Sequence, residues 1–173
     1  MNKILILTGI TILFVTSAFA SGWDTSISKD EMTDKGSAYA SSPIVAPTKT
    51  MGFPYSDVKA WLGIGCNNSA KWVYVGFTTA PNLNNTQTED GYNNISTKIK
   101  FNDEVESISL TQDWGSKFLH FQNDEKIIAK IEKANSLLLK LNWHGSGSVY
   151  FKFPLKDSSN ALKKITKECT KFK

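Results

Sequence analysis

Apolar and polar residues alternate along several stretches of the chain, and this period of two is typical of half-buried β-strands. The clearest alternation runs over residues 95–101, and residues 71–78 combine β-branched and aromatic side chains. Further strands are predicted over residues 105–110, 118–121 and 148–153, and the apolar runs over residues 61–66 and 137–143 are typical of buried strands. Short edge strands are expected around residues 23–27 and 37–45.

Two segments in the last third of the chain have helical spacing instead. The first would be capped by Asp124, and its apolar face would comprise Ile127, Ile128, Ile131 and Ala134. The second would be capped by Asp157 or Ser158, and its apolar face would comprise Ala161, Leu162, Ile165 and Cys169. Residues 81–94 are polar and are expected to form a long loop, whereas residues 144–147 have the composition of a hairpin turn.

Six to nine strands with two late helices define a mainly β fold, either all-β or α+β. We expect an antiparallel β-sandwich or a curled sheet, with a short helix and a C-terminal helix.

The N-terminal segment has the three parts of a secretory signal. Lys3 precedes an apolar run, and the small-x-small triplet at residues 18–20 is typical of a cleavage site. A transmembrane anchor is the alternative, but the run is shorter than the roughly 20 residues that a bilayer requires. We therefore expect a cleavable signal peptide over residues 1–20 and a single β-rich domain over residues 21–173. The mature protein would be periplasmic or secreted, with no transmembrane segment after cleavage.

All 20 basic residues are lysines, which against 16 acidic residues gives a formal net charge of +4. Without arginine the chain lacks the bidentate fork that suits phosphate and base recognition, and we expect no nucleic-acid partner. Residues 124–173 are markedly basic. This segment could meet anionic lipid, peptidoglycan or an acidic partner, or it could simply carry a solvated helix face.

The two cysteines, Cys66 and Cys169, are expected to form a disulfide in an oxidising compartment. Cys66 ends a predicted buried strand and Cys169 lies in the predicted last helix. The bond would therefore pin that helix to the sheet.

Catalytic patterns are scarce. The two histidines, His120 and His144, have no metal-ligand spacing, and no Gly-x-Ser-x-Gly element occurs. The acidic clusters lie in polar turns, where solvated carboxylates are the simpler interpretation. We expect a non-enzymatic protein with no cofactor and no metal.

Aromatic residues at turns are better candidates for contacts with a partner. Tyr92 lies among asparagines in the polar loop, and Trp114 and Trp143 lie at or near turns. The alternative is that each tryptophan closes one end of a sandwich. The hairpin turn adds His144, Ser146, Gly147 and Tyr150, because residues 146–150 match Ser-Gly-x-x-Tyr. That motif resembles one shared by periplasmic lysozyme inhibitors, in which the loop enters the lysozyme cleft.

The order of landmarks along the chain resembles the exported VasI/TagO family, which is associated with the bacterial type VI secretion system. The matching elements are Trp23 with the acidic stretch 28–34, residues 62–66, 98–103, 113–116 and 151–155, the pair Ala161 and Leu162, and Cys169. Gly65 and Lys98 stand where arginine is expected. The resemblance implies a non-enzymatic accessory role and transfers no active site.

These observations predict an exported binding protein of the cell envelope that acts by protein–protein contact, with an association with type VI secretion as its finer form. The alternative is a periplasmic inhibitor of a cell-wall hydrolase. The sequence does not define the oligomeric state.

Overall fold

The computed structural model describes residues 22–33 and 35–172, so the predicted signal peptide lies outside the described residues. The strands are β1 (Asp24–Lys29), β2 (Gly36–Ser41), β3 (Ala60–Cys66), β4 (Lys71–Phe77), β5 (Thr86–Glu89), β6 (Tyr92–Phe101), β7 (Glu104–Asp113), β8 (Phe118–Phe121), β9 (Ser136–Trp143) and β10 (Gly147–Pro154). The helices are α1 (Asp124–Ile131) and α2 (Ser158–Cys169). In the described part of the chain, neither helix is long and apolar enough to cross a bilayer.

The described strands form one antiparallel sheet in the order β1-β2-β3-β4-β8-β7-β6-β9-β10, and β5 pairs with β6 beside this path. The mainly β fold with two late helices is therefore confirmed. The described residues form ten strands rather than the predicted six to nine.

The sheet is curled, so that β3 and β10, which are far apart in the strand order, are both contacted by the segment that follows β2. Val45 pairs with Ala60 of β3, and two residues later Pro47 pairs with Phe151 of β10. The backbone N–H of Thr48 donates to the carbonyl of Tyr150 at 2.8 Å. The segment after β2 thus reaches from one strand to the other, and a single curled sheet, rather than a two-sheet sandwich, describes the fold.

Alternate residues of each strand fill the interior of the curl, as the period of two requires. The buried residues of β9 are Leu137, Leu139, Leu141 and Trp143, and those of β4 on the same face are Val73, Val75 and Phe77. Phe77 packs edge-on against Phe151 of β10, with ring centroids 5.4 Å apart. The core is therefore apolar and rich in aromatic rings, and its burial supplies the main driving force for folding.

Helix α2 lies against β1, β2 and β3 and is bonded covalently to the sheet. Cys66 and Cys169 form a disulfide with an S–S distance of 2.09 Å, which confirms the predicted pairing. The helix buries Ala161, Leu162 and Ile165, as its spacing predicts. Asp157 occupies the N-cap position, but its side chain makes no capping hydrogen bond.

The prediction that Asp124 caps α1 is wrong by one residue. The side chain of Asn123 accepts a hydrogen bond from the backbone N–H of Lys126 at 3.1 Å, so Asn123 is the cap. Asp124 instead accepts a hydrogen bond from the backbone N–H of Val73 in β4 at 2.7 Å. A carboxylate at the first helical residue can do this because it extends sideways to the neighbouring strand.

The predicted long loop over residues 81–94 is also wrong in part, because it contains a hairpin. Strand β5 pairs with the first residues of β6, and the register joins Thr86 to Ile95 and Glu89 to Tyr92. Gly91 has a φ of 89°, which the tight turn after Asp90 requires. Strand β5 is mostly exposed and carries no apolar side chain, so no hydrophobic alternation could indicate it.

Candidate functional site

Several turns lie at one end of the curled sheet, and together they hold most of the predicted contact residues. We call this region the loop end and define it as residues 53–55, 78–85, 90–92, 113–116 and 144–147. The register places Tyr92 opposite Asp113. Leu83 is bridged to Trp143. The order of these turns along the sequence does not show that they lie together, because their proximity depends on which strands pair.

The loop after β4 ties the parts of the loop end together. The carbonyl of Asn82 accepts from the backbone N–H of His144 at 2.8 Å, and the N–H of Asn84 donates to the carbonyl of Asn142 at 2.7 Å. On the β7 side, the buried amide of Gln112 donates to the carbonyl of Pro81 at 3.0 Å. These bonds fix the loop at both sides and leave little freedom to lose when a partner binds.

Trp114 is the most prominent of the predicted contact residues, with 60% of its surface exposed. Its backbone N–H donates to the carbonyl of Gly91 at 3.1 Å, and the N–H of Ser116 closes the turn on Asp113 at 2.9 Å. The amide of Gln112 also donates to the carbonyl of Ser116 at 3.0 Å. An exposed indole therefore stands on a turn whose backbone is held in place.

Tyr92 lies beside this turn and is half-buried. Its hydroxyl donates a short hydrogen bond to the carboxylate of Glu89. The amide of Asn94 also donates to that carboxylate, at 2.6 Å. The hydrogen bond to Glu89, and then the negative charge of Glu89, raise the pKa of Tyr92 above its usual value. Tyr92 is thus held in one orientation next to Trp114.

Trp143 is completely buried and belongs to the core. Its ring packs edge-on against Tyr55 at 5.4 Å and Phe77 at 5.9 Å between centroids. This matches the alternative interpretation, in which the tryptophan closes one end of the fold. Trp143 therefore contributes to a contact surface only by supporting the residues around it.

The remaining predicted residues lie in the turn between β9 and β10 or, for Gly147 and Tyr150, in β10 itself. The His144 ring lies 3.2 Å from the amide oxygen of Asn84, measured from Nδ1. The N–H of Ser146 donates to the carbonyl of Trp143 at 3.1 Å, and Gly147 has a φ of 68°. Gly147 is exposed, and Ser146 and Tyr150 are half-buried. His144, Ser146 and Gly147 therefore belong to the loop end, whereas Tyr150 lies further along β10, opposite Lys140, and does not.

The two histidines are not gathered into a common centre. His120 lies on β8, where its ring centroid is 6.1 Å from that of Tyr74, and His144 lies at the loop end. In the described residues no group of three His, Cys, Asp or Glu side chains could hold a metal ion.

The outer face of β3 and β4 carries an aromatic surface that was not predicted from the sequence. Three aromatic residues each lie over a glycine on the neighbouring strand, in the pairs Trp61 over Gly76, Tyr74 over Gly63 and Trp72 over Gly65. Phe118 of β8 stands nearly perpendicular to Tyr74, with ring centroids 5.5 Å apart. The alternation of glycine and aromatic residues in residues 61–76 is the signal that could have revealed it.

A cavity of about 740 Å³ was also missed; it extends across β6, from β7, the end of β8 and the start of α1 on one side to β9 and the loop before β5 on the other. We call it the β6–β9 cavity. Its apolar lining comprises Ile95, Ile108, Phe121 and Ile127, and its polar lining is mostly amide and hydroxyl side chains with three lysines. The volume lies within the range of small-molecule sites, and the lining is more polar than that of most such sites. Nothing in the sequence pattern indicated it, because it depends on where two strands separate.

Comparison with protein-family models, with curated protein sequences and with solved structures finds no match for this chain. The resemblance to the VasI/TagO family therefore stays a prediction.

Proposed function

We propose that the protein is a non-enzymatic binding protein that recognises another protein through its loop end, with Trp114 at the centre of the contact. The observation that carries this proposal is the 60% exposure of Trp114 on a hydrogen-bonded turn. Tryptophan is among the residues that contribute most to binding energy at protein interfaces, because it buries a large area with few rotatable bonds.

The rigidity of the loop end supports the same function. Binding orders side chains and loops, and that ordering opposes association. Here the hydrogen bonds of Asn82, Asn84 and Gln112 already hold the loop after β4 against β7 and β9. A partner that covers Trp114 would therefore lose little free energy to ordering this surface.

We place this contact in the bacterial cell envelope, with an accessory role in type VI secretion as its finer form. The disulfide between Cys66 and Cys169 supports an oxidising compartment such as the periplasm. The order of sequence landmarks supports the finer role. The location in the cell envelope and the role in type VI secretion are both part of the proposal.

Site-specific crosslinking tests the contact. A photoreactive phenylalanine analogue replaces Trp114 in one variant and Val105 in the other. Val105 is a matched control, because its surface is 62% exposed and it lies near the opposite end of β7. We expect a discrete crosslinked product in intact cells from position 114 and none from position 105.

The captured protein is then purified and its affinity is measured for the wild type, W114A and V105A. We expect W114A to weaken binding at least about tenfold, as for a residue at the centre of an interface, and V105A to leave it unchanged. Equal crosslinking at both positions, or equal affinity for W114A and the wild type, would overturn the proposal.

The inhibitor of a cell-wall hydrolase is kept as a second candidate because of one observation. Gly147 and Ser148, in the segment resembling the lysozyme-inhibitor motif, are exposed at the start of β10. An assay of lysozyme activity with equimolar protein separates the two functions. Inhibition that is lost in Y150A would favour the inhibitor, and full lysozyme activity would remove it.

A further inference from the structure

The β6–β9 cavity arises from a break in the hydrogen-bonded ladders along one side of β6. On that side, residues 99–101 of β6 pair with β9, and residues 92–95 pair with β5. Ser96, Thr97 and Lys98 lie between the two ladders and pair only with β7 on the other side. The strands therefore separate at this point, and the loop before β5 and strand β9 border the gap.

Specific hydrogen bonds fix the position of the backbone on both sides of this break. The hydroxyl of Thr97 donates to the carbonyl of Lys140 across the gap at 2.5 Å. The backbone N–H of Asn84 donates to the carbonyl of Asn142 at 2.7 Å, which fixes the loop before β5 to β9. These bonds define the rim of the cavity without closing it.

The charge of the lining is one-sided. Lys98, Lys126 and Lys140 line the cavity, whereas no aspartate or glutamate does. Lys126 is paired with Glu106 at 2.8 Å. In the described part of the chain, Lys98 and Lys140 make no ion pair. An anionic ligand would therefore meet two uncompensated ammonium groups, while a cationic ligand would be repelled.

The neutral polar groups narrow the class of ligand further. Side-chain amides and hydroxyls both donate and accept hydrogen bonds, so they suit a ligand that carries hydroxyl and amide groups of its own. The apolar lining can accept the non-polar faces of such a ligand, as in other small-molecule sites. A sugar that carries a carboxylate combines all these properties.

We propose that the β6–β9 cavity binds a carboxylated sugar unit, with Lys98 and Lys140 pairing with its carboxylate. This site is separate from the loop end and does not depend on the protein–protein contact proposed there. An acidic peptide would offer the same charge, but only three residues of β6 are free to pair on that side, so it would gain few of the main-chain hydrogen bonds on which strand addition depends.

The test uses the N-acetylglucosamine–N-acetylmuramic acid disaccharide as the probe and its methyl ester as the uncharged counterpart. Two-dimensional amide NMR of the mature protein locates the binding, and titration gives the dissociation constant. The variant K98Q/K140Q removes the two charges. The variant K163Q/K164Q is the matched control, because it removes two exposed charges from α2 and leaves the cavity intact.

We expect the disaccharide to perturb the amide signals of Ser96, Lys98 and Asn142. Binding should weaken at least about tenfold for the methyl ester and for K98Q/K140Q, and K163Q/K164Q should bind as the wild type does. Higher ionic strength should also weaken binding, because partly exposed charges are screened.

Three results would overturn the proposal. The first is no perturbation at millimolar disaccharide, and the second is perturbation that maps outside the cavity. The third is equal binding of the disaccharide and its methyl ester. A short peptide of glutamate residues serves as the competitor, and tighter binding of that peptide in the cavity would assign the site to acidic peptides instead.

Discussion

The ring of Tyr74 lies across Gly63 on the neighbouring strand and fills the space where a side chain at position 63 would begin. Phe118 and His120 pack against the same ring from β8. Glycine normally weakens a strand, but here it lets an aromatic ring cover the backbone. The same arrangement recurs at Gly65 with Trp72 and at Gly76 with Trp61.

Replacing Gly63 with alanine should therefore destabilise the protein. A methyl group at this position would overlap the Tyr74 ring. Because Phe118 packs against the same ring, the ring cannot move aside without disturbing that contact. We expect a loss of about 1–3 kcal/mol in the free energy of unfolding, measured by urea denaturation. Gly52→Ala is the control, because open space surrounds a Cβ there, and it should change stability by less than about 0.5 kcal/mol. Equal stability of the two variants would contradict this account.

The ionisation of Tyr74 gives a second measurement of the same contact. Burial, and then the nearby Tyr39, raise the pKa of Tyr74, and hydrogen bonds with Trp61 and Ser41 only partly oppose this. A raised folded-state pKa gives stability that is complete below the unfolded value of about 10 and is lost as the pH rises through the folded value. Gly63→Ala pushes the ring outward, so its titration, followed by ultraviolet absorbance, should move toward the ordinary pKa. An unchanged titration would show that the ring stays in place.

Elements with a strong hydrophobic period could be predicted from the sequence. Strands β8 and β9 lie where they were predicted, and helix α2 buries Ala161, Leu162, Ile165 and Cys169, the residues of its predicted apolar face. The disulfide also followed from two cysteines and an expected oxidising compartment. The strands and the helix depend on a local hydrophobic pattern, and the disulfide depends on the presence of only two cysteines. Both can be read directly from the sequence.

Features that depend on strand pairing could not be predicted in the same way. Strand β5 is mostly exposed, so only its ladder with β6 defines it. The burial of Trp143 follows from its place in the curl between Tyr55 and Phe77. The β6–β9 cavity depends on where two ladders stop. The burial of Trp143 and the cavity need the register of distant segments, which a local pattern does not contain, whereas β5 pairs with the adjacent β6 and its local signal is the Asp90-Gly91 turn.

The disulfide should contribute a large share of the stability. It joins residues 103 positions apart, and the chain-entropy description assigns roughly 4–5 kcal/mol to a loop of that length. We expect Cys66→Ala/Cys169→Ala to lose most of this amount in urea denaturation. Helix α2 should still dock, because Ala161, Leu162 and Ile165 are buried independently of the bond.

Hydrogen exchange distinguishes a local effect from a global one. Amides of α2 should lose protection first in the double variant, while the amides of β9 should keep it until global unfolding. Equal stability of the double variant and the wild type would contradict a structural role for the bond. Two free thiols in the protein isolated from cells under non-reducing conditions, found by mass spectrometry, would show that the bond does not form.

Asp124 should stabilise the fold by accepting a hydrogen bond from Val73, and the negative charge of its carboxylate should contribute little. Burial raises the pKa of Asp124, and the hydrogen bond from Val73 and the charge of His120 oppose that rise. Asp124→Ala leaves the N–H of Val73 without this acceptor and should cost about 1–2 kcal/mol. Asp124→Asn keeps an acceptor oxygen and should cost less than about 0.5 kcal/mol at neutral pH.

The pH dependence of stability checks the same assignment. A folded-state pKa above the unfolded value means that the wild type loses stability relative to Asp124→Asn as the pH rises through the folded value. Urea denaturation of both proteins between about pH 3 and pH 6 measures this difference. If Asn and Ala at position 124 destabilise equally, the carboxylate charge is required and the account is wrong.

Glu106 should show the opposite pH dependence. Burial raises its pKa, but hydrogen bonds and charges from Lys126 and Lys130 outweigh this, so the pKa lies below its ordinary value. Lys126 lies 2.8 Å and Lys130 lies 3.2 Å from the carboxylate. Both lysines are partly exposed, so screening limits the effect, and Glu106→Gln should cost about 1 kcal/mol at pH 7.

That contribution should be complete above the unfolded pKa of about 4.3 and should disappear as the pH falls through the lower folded value. Glu104→Gln is the matched control, because Glu104 is highly exposed and lies 4.0 Å from Lys130. The control should change stability by less than about 0.5 kcal/mol at any pH. Since Lys126 also lines the β6–β9 cavity, Glu106→Gln should tighten the binding of the acidic disaccharide by releasing a paired ammonium group. Weaker binding in this variant would mean that Glu106 positions Lys126 for the ligand rather than competing with it.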